Sequence, residues 1–114
     1  ATALSTHNKK IPPFHYMVAL AGGIDIKCAK YATYGTRELS KNILKALKNR
    51  SACLIANHGQ ITFGQSLEDA FELAEEVDNL AKQYIKALVL GRPKLLSLNE
   101  MKKVLNKSKT YKKN

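Results

Sequence analysis

The sequence predicts an α/β domain, on three observations. Two short apolar runs of strand length, around residues 24–28 and at ACLIA (52–56), bracket a helix signal. A third apolar stretch, QITFG (60–64), follows ACLIA after the turn-forming Asn57-His58-Gly59. A long amphipathic segment then runs from about 67 to 90. At 114 residues, a single domain or part of one is the expectation.

Residues 1–10 are polar and short. Pro12 and Pro13 in IPPFHYMVALAGG enforce extended backbone, Phe14 to Ala21 is largely apolar, and Gly22-Gly23 stop the segment. Ile24, Ile26 and Cys28 alternate with Asp25 and Lys27, the period of a half-buried strand. Thr36 can cap a helix carrying Leu39, Ile43, Leu44 and Leu47 on one face, with Asn49-Arg50-Ser51 ending it. Ser66-Leu67-Glu68-Asp69 resembles a capping box and opens the longest element. Its apolar stripe includes Leu67, Ala70, Phe71, Ala74, Val77, Leu80, Ala81, Tyr84 and Leu88, and Gly91 and Pro93 terminate it. Ser97-x-x-Glu100 is a proper capping box for a last short helix through about Asn106.

Composition sets limits on function. With 45% hydrophobic and 25% charged residues, wholesale disorder is excluded. No apolar run approaches the ~20 residues of a membrane span, and the N-terminal ATALSTHNKK lacks a signal pattern. Two cysteines outside any CxxC argue for a reducing, cytoplasmic setting. The net charge of +10 is concentrated at the end: residues 101–114 hold six lysines and no acid, and the rest of the chain has 13 basic against 9 acidic residues. Such a tail reads as a solvated face. A nucleic-acid surface would need interleaved aromatics, and Tyr111 is the tail's only one.

Three histidines are candidates for chemistry: His7, His15 and His58. None stands at zinc-motif spacing. A lone histidine between a strand and a glycine is more often a turn residue than a ligand, yet His58 follows a rigid strand, where folds present functional groups. His15-Tyr16 reads as a pair of amphipathic core residues. GTRELS and Gly22-Gly23 lack phosphate-loop spacing.

The ordered blocks IPPFHYMVALAGG, CAKYATYGTRELS, ACLIANHGQITFG, SLEDAFELAEEVDNLAKQYIKAL and KSKTY resemble the class II aldolase/adducin family. The resemblance covers essentially the whole chain, which corresponds to the C-terminal portion of a single family domain. It implies a three-layer α/β/α fold with a mostly antiparallel central sheet, and a homotetramer with sites between subunits. It also implies zinc-dependent aldol cleavage of a sugar phosphate such as L-fuculose 1-phosphate, or of a related hydroxy-aldehyde, with the metal as Lewis acid.

By the same resemblance, His58 in ANHG matches the third zinc-binding histidine. The first two, an HxH pair, and the acid/base glutamate fall upstream of Ala1. Tyr16 matches an active-site tyrosine, and Tyr111 one that a neighbouring subunit lends. Lys30, Ser108 and Lys112 depart from the family pattern. One imidazole cannot complete a zinc site, and His7 and His15 do not occupy the missing positions, so the chain alone should bind zinc poorly. The alternatives are a non-catalytic remnant or adducin-like interaction module, or, on the same fold, a sugar-phosphate epimerase or dehydratase. A basic nucleic-acid-binding module rests on the lysine tail alone.

Overall fold

In the computed structural model, which describes residues 1–112 with side chains through Lys109, the chain opens with a single helical turn. This is α1 (Thr2–Ser5), in a stretch whose polar composition gave no helix signal. Its one large apolar residue, Leu4, is buried in the main core, and that contact fixes the turn. A 3-10 helix follows at Tyr16–Ala21, entered through Pro12-Pro13 and closed by Gly22 in the left-handed region at φ 92°.

The elements after it come in the order β1 (Cys28–Ala29), α2 (Arg37–Ala46), β2 (Ala52–Ile55), β3 (Gly59–Thr62), α3 (Leu67–Leu90) and α4 (Leu98–Lys112). The helix starts obey their caps. The Thr36, Ser66 and Ser97 side chains accept from the amides of Leu39, Asp69 and Glu100. The α3 boundaries agree with the capping and stop signals; α4 sits on the core through Met101, Val104 and Leu105 and continues past Asn106 to Lys112.

The three strands form one sheet in the order β1-β2-β3, and the sheet is mixed rather than mostly antiparallel. β2 pairs antiparallel with β3 through the Asn57-His58 turn, with Ile55 opposite Gly59. β1 pairs parallel with β2, Cys28 opposite Leu54. The reason is topological: α2 is the crossover between β1 and β2, and a helical crossover returns the chain in the same direction. All four β2 residues are buried, which explains why ACLI is a continuous apolar run instead of an alternating one.

The alternation at 24–28 does not become a long strand. Ile26 makes an isolated antiparallel bridge with Ile11, and Asp25, expected on the solvent side, is only 4% exposed. It is admitted because Lys10 and Arg50 both reach its carboxylate, at 3.0 and 2.5 Å. Arg50 Nε also donates to the Asp25 carbonyl. A buried carboxylate with two cationic donors is neutralised where an isolated one would be expelled.

The main core joins Leu4, Ile11, Val18, Ile26, Leu54, Val77, Leu80 and Met101, so the 3-10 helix lies between α3 and α4. Smaller clusters seat α2 on the sheet through Ala46, Cys53, Leu39 and Ile55. The apolar faces are not fully covered. Leu44 on α2 and Leu67 and Phe71 on α3 are exposed, as are Ile61 and Phe63 on or just after the edge strand β3.

Candidate active site

His58 stands at the tip of the β2–β3 hairpin. The turn is closed by the His58 amide donating to the Ile55 carbonyl at 3.0 Å. Asn57, at φ 59°, is the one turn residue with positive φ before Gly59, the pattern of a type II turn, which selects Gly or Asn there. Gly59 itself has φ 152°, and a Cβ on it would meet the Thr2 hydroxyl at 3.5 Å. The tip is thus held from outside: the Asn57 amide donates to the Ser5 carbonyl at 3.0 Å. The His58 side chain is exposed, and no hydrogen bond or ion pair engages its ring among the described residues. A neutral imidazole in that state can offer the lone pair of one ring nitrogen to a ligand, in either tautomer.

Tyr16 begins the 3-10 helix and is 54% exposed. Its ring stacks on His15 with centroids 4.8 Å apart. His15 Nδ1 accepts from the Met17 amide at 3.2 Å, so the pair is a helix start with an exposed phenol, not the core pair its composition suggested. Among the described residues, no hydrogen bond or ring contact joins Tyr16 to His58. Tyr111 falls on the last turn of α4, and its side chain lies outside the described residues.

The other two histidines are elsewhere. His7 Nδ1 lies 3.1 Å from the Thr6 hydroxyl, and its ring lines a cavity of about 370 Å³ with Leu4, Lys9, Ile85, Leu88 and others between α1 and the end of α3. That lining includes neither His58 nor Tyr16. No group of three His, Cys, Asp or Glu side chains among the described residues could hold a metal. The described residues therefore do not by themselves make up a complete metal-ligand set.

Neither thiol is activated by its surroundings. Burial pushes Cys28 up, and burial with the neighbouring Cys28 pushes Cys53 up to about 11. The tie from α1 to the histidine turn could not be read from sequence. Its only signals were Asn-x-Gly at 57–59 and a lone leucine in ATALS.

The architecture is an α/β domain with an exposed histidine at the tip of the β2–β3 hairpin. A solved L-fuculose 1-phosphate aldolase superposes with a TM-score of 0.89 at 44% identity, over 95% of this chain and 50% of that one. The model of the Class II Aldolase and Adducin N-terminal domain matches residues 1–85, and the chain belongs to that family. It is 50% identical over 111 residues to a 5-methylthioribulose-1-phosphate/5-deoxyribulose-1-phosphate aldolase of Rhodospirillum rubrum, covering 97% of this chain and 50% of the relative. It is equally 50% identical to the L-fuculose phosphate aldolase of Escherichia coli, covering 96% and 52%. The chain thus spans about half the length of the curated relatives it matches. No helix among the described residues is long and apolar enough to cross a membrane.

Proposed function

We propose that the intact protein is a metal-dependent aldehyde-lyase acting on a short sugar phosphate, and that this chain is the C-terminal portion of its single domain. His58 is one ligand of a zinc ion, and Tyr16 and Tyr111 are phenols of the site, Tyr111 reaching the site of a neighbouring subunit in a homotetramer. The remaining zinc ligands and the acid/base carboxylate are assigned upstream of Ala1.

The observation that carries this reading is the contact of the first residues with the histidine turn. Thr2 lies against Gly59 and Ser5 bonds Asn57, so the first helical turn of the chain packs on the turn that carries His58. Metal ligands separated in sequence must be brought together by such a packed joint. The metal, when bound, would supply Lewis-acid stabilisation of negative charge on the substrate.

Aldol cleavage breaks a carbon–carbon bond, leaving an aldehyde and an enediolate, and a phenol nearby donates a hydrogen bond where that charge develops. Tyr16, exposed and without a hydrogen-bond partner among the described residues, is available for that role. The substrates named in the relatives, fuculose phosphate and the ribulose 1-phosphates, share the phosphorylated-sugar chemistry proposed here.

The test is metal content and cleavage of L-fuculose 1-phosphate and 5-deoxyribulose 1-phosphate by the full-length protein. His58→Ala is expected to remove most of the bound zinc and the cleavage together. Tyr16→Phe is expected to retain zinc and to lower kcat by about 10²-fold. Unchanged zinc and unchanged turnover in His58→Ala would defeat the assignment of His58 as a ligand, and a parent protein that neither holds zinc nor cleaves either substrate would leave an interaction module of the same fold.

A further inference from the structure

Four rings run in series from the core to the surface through the segment that carries Tyr16. Tyr84 of α3, buried, meets Phe14 at 5.1 Å between centroids. Phe14 meets His15 at 6.2 Å, and His15 stacks on Tyr16 at 4.8 Å with planes 27° apart. His15 is the only ring that touches Tyr16 among the described residues. A side chain 54% exposed, with no hydrogen bond on its hydroxyl, has nothing else from a neighbouring ring to hold it.

We propose that His15 is a positioning residue for Tyr16: its flat face sets the direction of the phenol, and its bond to the Met17 amide pins that face. The proposal rests on reading Tyr16 as an active-site phenol. Nδ1 accepts from the Met17 amide at 3.2 Å, which places the proton of the neutral ring on Nε2. Turning the ring away from Tyr16 would cost that bond and expose an unsatisfied amide at the first turn of the 3-10 helix. Ser, Thr, Asp and Asn are the usual residues at such a position, and each supplies the acceptor. Only an aromatic acceptor supplies the stacking face as well, and histidine is the one that does both here. Phe14 and Tyr84 close the other side, so the series ends on α3 and not on a loop.

The experiment uses the full-length protein with His15→Asn, which keeps the acceptor and removes the face, and His15→Phe, which keeps the face and removes the acceptor. The readouts are melting temperature, the aromatic proton shifts of selectively labelled Tyr16, and kcat and KM separately. His15→Asn is expected to melt as the parent does, to lose the ring-current shift of Tyr16, and to drop kcat by roughly tenfold with KM unchanged, as for a displaced reacting group. His15→Phe is expected to keep the Tyr16 shift and a kcat above that of His15→Asn, at reduced stability.

Unmoved Tyr16 signals and unmoved kcat in His15→Asn would overturn the proposal, as would a His15→Phe variant no better than His15→Asn. Tyr16→Phe, measured alongside, separates the two readings. If it leaves kcat intact, the active-site role of Tyr16 fails, and the Tyr16 ring signals alone decide whether His15 positions it.

Discussion

The Asn57 amide donates to the Ser5 carbonyl at 3.0 Å, joining the first helical turn of the chain to the tip of a hairpin some fifty residues later. Asn57 makes this bond from the left-handed region, at φ 59°. The position of His58 therefore depends on a backbone conformation as much as on its own side chain. Asn57→Ala places a Cβ-bearing residue without a compensating polar side chain in the left-handed region and should destabilise by about 1–2 kcal/mol. Asn57→Gly should be close to neutral. Urea denaturation of the two variants beside the parent checks this ordering.

Asp25 gives the fold a specific sensitivity to acid. Burial raises its pKa, but hydrogen bonds from Lys10 and Arg50, reinforced by their charges, outweigh burial and hold it below its ordinary 3.8. A depressed folded-state value means that the contribution to stability is complete above the unfolded value and is lost as pH falls through the folded one. Asp25→Asn should flatten the acid limb of the pH–stability curve below about pH 5. At neutral pH it leaves Arg50 half-buried without its counter-charge and should cost about 3–5 kcal/mol. Thermal melts from pH 3 to 7 on both proteins measure each effect.

Gly23 is the place where Arg50 passes. A Cβ there would lie 2.9 Å from Arg50 Nε and 3.1 Å from its Cγ and Cζ. The guanidinium is tied to Asp25 and to the Lys48 carbonyl, so it yields only by giving up those bonds. Gly23→Ala should therefore destabilise by about 1–3 kcal/mol. In an Arg50→Ala background, where the obstruction is gone, the same substitution should cost much less. A double-mutant cycle read by denaturation shows whether the two effects couple.

Cys53 is fully buried in β2, with its pKa pushed up to about 11. At neutral pH its thiolate population is negligible, and reaction requires opening of the sheet. Alkylation of Cys53, followed by mass spectrometry, should track global unfolding in denaturant, whereas the half-buried Cys28 should react earlier.

Much of this architecture is local, and the sequence determined it. Thr36, Ser66 and Ser97 supply caps that any chain would use, and Gly91 and Pro93 stop α3 whatever packs around it. The ordered blocks around HYM and ANHG marked the family and drew attention to His58 and Tyr16. Tertiary structure decided the rest, because it turned on residues distant in sequence. Asp25 went inward since Lys10 and Arg50 converge on it, breaking an alternation that a strand would have kept. The sheet became mixed because α2 crosses between β1 and β2. ATALS became a helical turn because Leu4 had a core to enter and Ser5 an amide to accept from. His15 took the N-terminal position of a 3-10 helix, with Nδ1 accepting from the Met17 amide and its ring meeting Phe14, which Tyr84 of α3 backs. Periodicity and capping express the energetics of neighbours along the chain, whereas a buried charge or a stacked ring is decided by groups that meet only on folding.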